Sequence, residues 1–96
     1  MSKERELLDR LLSSEVKGEL LLLFHRNPGM IDTMENVARR IGREAKTIET
    51  DMRDLVDLGL VKTRHIGRFE VFALDRARDK ELQDTIANYI RSLKRG

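Results

Sequence analysis

Apolar residues recur along this chain at helical spacing, then switch to strand spacing, then return to helical. In residues 3–12, Leu7, Leu8, Leu11 and Leu12 fall on one stripe among charged positions, which predicts an amphipathic helix. Ser13 and Ser14 interrupt it, and either can cap a second helix that runs to about Arg26, with Val16, Leu20, Leu23 and Phe24 facing inward. Asn27-Pro28-Gly29 ends that helix. Met30 and Ile31 read as a one-bridge strand. Asp32 then stands three residues before Glu35, the arrangement of a capping box with Asp as the cap. A short helix over about 33–41 buries Met34, Val37, Ala38 and Ile41 and stops at Gly42.

The next stripe, Ala45, Ile48, Met52, Leu55 and Val56, predicts a helix over about 44–58, closed by Gly59 with Leu60 packing back. From Val61 the period becomes two. Val61 to Ile66 and Arg68 to Leu74 read as a hairpin with Gly67 in its turn, and Phe69, Val71 and Ala73 share one face. A last helix starts at Asp75 and runs to about Leu93. The expected class is mainly α with a small β-hairpin. The order is helix, turn, helix, hairpin, with additional N- and C-terminal helices, in one domain over 1–96 whose centre is about 15–75.

Charge changes the picture more than composition does. Of 96 residues, 40% are apolar and 38% charged, and the net charge is +2. Residues 1–30 are neutral, residues 31–61 carry five basic against seven acidic side chains, and residues 62–96 carry nine against five. The positive excess therefore lies at the hairpin and beyond, with Lys62, Arg64 and Arg68 close together. Arginine-rich composition with three Asn and one Gln suits a thermophile. The N-terminus MSKERELL has no apolar core for a secretion signal, and no stretch is apolar enough to span a membrane. A cytoplasmic protein is expected. There is no cysteine, only His25 and His65 supply imidazole, and no glycine-rich phosphate loop or nucleophile elbow occurs. No enzyme, cofactor or metal site is expected.

The segment REAKTIETDMRDLVDLGLVKTR, residues 43–64, resembles the recognition-helix signature of winged helix-turn-helix transcription regulators, in the arsenic-repressor-like and multiple-antibiotic-resistance-like form. Thr47-Ile48 is similar to the helix-start pair of that pattern, Met52 and Leu55 to its core pair, and Leu58-Gly59-Leu60-Val61 to its helix-to-wing junction. ENVARRIG, residues 35–42, is similar to the preceding helix and its glycine turn. The resemblance implies a sequence-specific double-stranded DNA-binding regulator acting as a homodimer. Its second helix would enter the major groove and its wing would touch backbone or minor groove.

At about 100° per residue, Lys46, Thr50 and Arg53 face away from Ile48, Met52 and Leu55, with Arg43 at the helix mouth and Thr47 and Glu49 flanking. These are the expected reading residues. Arg39 and Arg40 are placed to reach the backbone, and Arg64, His65 and Arg68 lie on the wing. Leu7, Leu8 and Leu11 on the first helix are expected at a dimer interface, with Leu82, Ile86, Tyr89, Ile90 and Leu93 on the last. No effector can be named. Metal sensing by the arsenic-repressor-like families often uses Cys and His, and this chain has no Cys. Residues 43–58 hold three basic and five acidic side chains. An acidic reading helix opposes phosphate binding and favours the alternative, a winged-helix protein-interaction module of a transcription or replication complex.

Overall fold

The computed structural model describes residues 3–11 and 13–95, with side chains for 5–11, 13–85, 87, 88 and 91. The elements are α1 (Lys3–Leu11), α2 (Glu15–Arg26), β1 (Ile31–Thr33), α3 (Met34–Arg40), α4 (Ala45–Asp57), β2 (Val61–Ile66), β3 (Phe69–Leu74) and α5 (Arg76–Arg95). Leu12 lies outside the described residues, as do the side chains of Ile86, Tyr89, Ile90 and Leu93. No described helix is long and apolar enough to cross a membrane.

Local chemistry sets most boundaries. Ser14 caps α2, its hydroxyl accepting from the Lys17 amide at 3.2 Å. At the end of α4 the Leu60 amide donates to the Leu55 carbonyl and the Gly59 amide to Val56, a doubly bonded cap that needs the left-handed backbone of Gly59, φ +80°. Leu60 folds back and is buried.

Three boundaries differ from the sequence reading. The short strand is three residues long and pairs with β3, Asp32 standing opposite Phe72, and the Asp32 carboxylate accepts from the Thr33 amide at 2.9 Å and the Asn36 side chain at 2.8 Å. The cap of α3 moves to Thr33, whose hydroxyl accepts from the Asn36 amide at 3.3 Å. The hairpin loop is Gly67-Arg68, with Ile66 opposite Phe69 and φ +61° at Gly67, so Arg68 is a loop residue rather than the first of β3.

The sheet order is β1-β3-β2, antiparallel throughout. β3 is apolar on both faces, and Phe72 and Leu74 face the helices, at 0% and 3% exposure. Phe69, Val71 and Ala73 do share a face, but it is the outer one, where Phe69 is 60% exposed. Leu20 and Phe24 from α2, Val37 and Ala38 from α3, and Ile48, Met52 and Leu55 from α4 close the core against that inner face.

Leu11 and Leu82 also belong to this core. Both were expected at a dimer interface, but they are buried within the chain and offer no surface to a second copy. An apolar helical stripe looks the same whether its own domain or a partner covers it. Leu7 and Leu8 remain half-buried. His25, at the end of α2, shares a hydrogen bond with Asp79 at 3.1 Å and so ties α2 to α5.

Candidate nucleic-acid interface

Helices α3 and α4, joined through the Gly42 turn, stand beside the hairpin with a groove between them. This groove, of about 450 Å³, is lined by Lys46, Glu49 and Arg53 of α4 and by Arg68, Phe69 and Glu70 of the hairpin. The first turns of α4 present Lys46, Thr47, Glu49 and Thr50 to solvent, as their spacing predicts. Lys46 is 84% exposed, and its ammonium stands 3.7 Å from Glu44. Across the groove Arg68 is exposed at the hairpin tip. Arg39 is exposed on α3. Arg40 reaches back to Asp32 at 3.4 Å.

Two of the arginines placed on the reading face by helical spacing are occupied. Arg43 makes a two-pronged contact with Glu19 of α2, at 3.0 and 2.6 Å, which fixes the mouth of α4. The hydrogen bonds from Arg43 hold the Glu19 carboxyl below its ordinary range. Arg53 grips Glu70 of β3 the same way, at 2.8 and 2.7 Å, and its guanidinium lies 5.3 Å from the centre of the Phe72 ring. The hydrogen bonds from Arg53 likewise hold Glu70 low. Arg53 therefore straps the helix to the wing. It faces the groove as expected, but its fork is already filled.

The wing cations divide between two faces. His65 is exposed opposite Glu70, on the face of the sheet that packs against the helices. Arg64 pairs with Val71, and Lys62 with Ala73, so both side chains lie on the outer face, away from α4. Arg64 is thus not brought together with the reading residues of α4.

The acidity of α4 is also partly spent. Asp54 accepts from Arg10 at 2.6 Å and from the ammonium of Lys17, a residue only 5% exposed. Glu49, Asp51 and Asp57 remain, with no ion pair to any described residue. No local signal in the sequence marks Glu19, Glu70, Lys17 or Asp54, because each acts through a partner at least 17 positions away. The Arg53–Glu70 strap predicts a coupling of about 0.5–1 kcal/mol in an Arg53→Ala/Glu70→Ala double-mutant cycle read by urea unfolding. Strict additivity of the two changes would remove its role as a strap.

No family model matches the chain, and no curated protein matches it. Solved structures do. A possible transcriptional regulator for arsenical resistance superposes with a TM-score of 0.67 at 24% identity, over 84% of this chain and 83% of that one. A protein of the thermoacidophilic archaeon Sulfolobus tokodaii gives 0.68 at 15%, over 97% and 96%. A homodimeric winged helix-turn-helix DNA-binding domain of Mycobacterium bovis, a possible ArsR-family transcriptional regulator, gives 0.62 at 17%, over 100% and 94%. The chain therefore has the winged helix-turn-helix fold of the M. bovis domain, with α3 and α4 as the helix pair and β2–β3 as the wing.

Proposed function

We propose that the protein is a sequence-specific double-stranded DNA-binding transcriptional regulator that acts as a homodimer. The observation that carries this reading is the groove with Lys46 on its helix side and Arg68 on its wing side, both exposed. A major groove admits one helix, and α4 offers Lys46, Thr47 and Thr50 to base edges, with Glu49 able to accept from a cytosine amino group. Arg68 and Arg39 grip backbone on either side. Arg43 and Arg53 serve by holding α4 at a fixed angle rather than by reading. The homodimeric state of the M. bovis domain supports association of two copies. Two such domains read half-sites about one DNA turn apart. The dimer reading predicts a light-scattering mass near twice 11.2 kDa at micromolar concentration, and a mass near 11.2 kDa would refute it.

Glu49, Asp51 and Asp57 on α4 favour the second reading, a protein-interaction module. Selection of bound sequences from random duplexes at low salt separates the two. An enriched motif, with Lys46→Ala weakening binding by about 1–3 kcal/mol at one motif position, supports the regulator. Absence of any bound duplex at low salt sends the function to a protein partner.

A further inference from the structure

A second concavity lies on the opposite side of the wing, on the outer face of the sheet. Register brings two cross-strand rows together there. Ile31, Ala73 and Lys62 form one row, and Thr33, Val71 and Arg64 the next. The cavity has a volume of about 510 Å³, and its rim is completed by Arg76 at the start of α5. Its floor is apolar. Val71 is 8% exposed, and Ile31, on the edge strand, is 47% exposed and adds open aliphatic surface.

The rim is cationic. Lys62 and Arg64 stand two residues apart on one strand, about 6.6 Å by strand rise, and make no ion pair with any described residue. Arg76 donates to the Pro28 carbonyl at 3.3 Å, a neutral partner. The one carboxylate in the lining, Asp75, caps the Arg78 amide at 3.0 Å. A long edge of unpaired cation beside exposed aliphatic surface calls for a ligand with two unlike ends. A phosphodiester backbone would meet the cations but leave Ile31 and Ala73 without apolar contact.

We propose that this cavity binds a small carboxylate with an apolar body, an aryl or medium-chain acyl acid. The carboxylate sits between the Lys62 ammonium and the Arg64 fork, which matches it with two parallel hydrogen bonds. The body lies on Ile31, Val71 and Ala73. The volume falls in the range of small-molecule sites, about 300–1,000 Å³, and the mix of apolar floor and few polar anchors is what such sites use. An occupant touches β1, the wing and the start of α5 together. The proposal is independent of whether α4 reads DNA.

The test is titration of the isotope-labelled full chain with benzoate and octanoate, followed by amide chemical shifts. Benzamide, octanol and inorganic phosphate serve as probes lacking one end or the other. Saturable shifts centred on Ile31, Val71 and Ala73 with the two carboxylates are expected. Binding should weaken about tenfold in Lys62→Gln/Arg64→Gln, whose spectrum also reports that the fold is kept. Arg64→Gln alone should show an intermediate loss. Equal binding of benzamide or octanol would overturn the proposal, since the cations would then contribute nothing. Equal binding of phosphate would overturn it by showing an anion patch only. Shifts mapping elsewhere, no saturation with any probe, or undiminished binding by the double variant would also overturn it.

Discussion

Phe72→Ala is expected to lower the free energy of unfolding by about 3–5 kcal/mol, the range for removing a fully buried aromatic ring. Phe72 is 0% exposed on the inner face of the central strand. Its backbone pairs with both neighbours, opposite Asp32 on one side and Thr63 on the other. The alanine therefore cannot shift far to close the space it leaves. The change also removes the ring under the Arg53 guanidinium, so the strap between α4 and the wing loses its platform. A domain of this size holds about 5–15 kcal/mol in all, and the melting temperature should fall by about 15 °C or more. Phe72→Leu, which keeps most of the volume, should cost less than half as much. A loss below about 1 kcal/mol for the alanine variant in urea or thermal unfolding would show that the ring is not part of the packed core.

Asp54→Ala is expected to cost about 2–3 kcal/mol, and more than Lys17→Met. Lys17 is the one buried charged residue among those described. Its ammonium has three protons, and the structure gives three acceptors: Asp54, the Arg10 carbonyl at 3.1 Å and the Ser13 hydroxyl at 3.4 Å. Removing Asp54 leaves a buried cation with neutral partners only, the costly half of a broken pair. The lower end of that range applies because Asp54 is 27% exposed. Lys17→Met leaves Asp54 with Arg10 and water, a tolerable state, and places an apolar side chain where the surroundings are already closed. Chemical unfolding of the two single variants decides it, and a larger loss for Lys17→Met would reverse the assignment of which group is trapped.

Acid provides a second view of the same pair. The hydrogen bond from Lys17, followed by that from Arg10, holds the Asp54 carboxyl below its ordinary 3.8. A carboxyl lowered in the folded state contributes stability that is complete above its unfolded value and lost as pH falls through its folded value. The stability gap between wild type and Asp54→Ala should therefore be widest near neutrality and close as pH falls below about 4. A gap independent of pH would mean that the ion pair contributes nothing.

Much of this architecture is legible in the chain because its punctuation is chemical. Gly42, Gly59 and Gly67 all adopt positive φ, and the three turns expected from them exist. Ile48, Met52 and Leu55 form one fully buried stripe, as period 3.6 requires. The face of β3 was not legible, because FEVFAL is apolar at both odd and even positions and only the packing of the helices chooses between them. Lys17 reads as an ordinary polar position on an amphipathic helix, and nothing local announces its burial. For the interface, helical spacing placed Lys46, Thr50 and Arg53 outward, where they are found. It gave no sign that Glu19 and Glu70, from other elements, occupy Arg43 and Arg53.

The contact of Asp54 with both Arg10 and Lys17 has a consequence for how this sequence can drift. One carboxylate on α4 serves two cations, one on α1 and one on α2, so the three positions share a single balance of charge. A lone change at 54 strands Lys17. A change at 17 alone leaves Asp54 to Arg10, and a change at 10 alone leaves it to Lys17. The tolerable route away from the present set therefore has an order: position 17 becomes apolar first, and only then is position 54 free to vary.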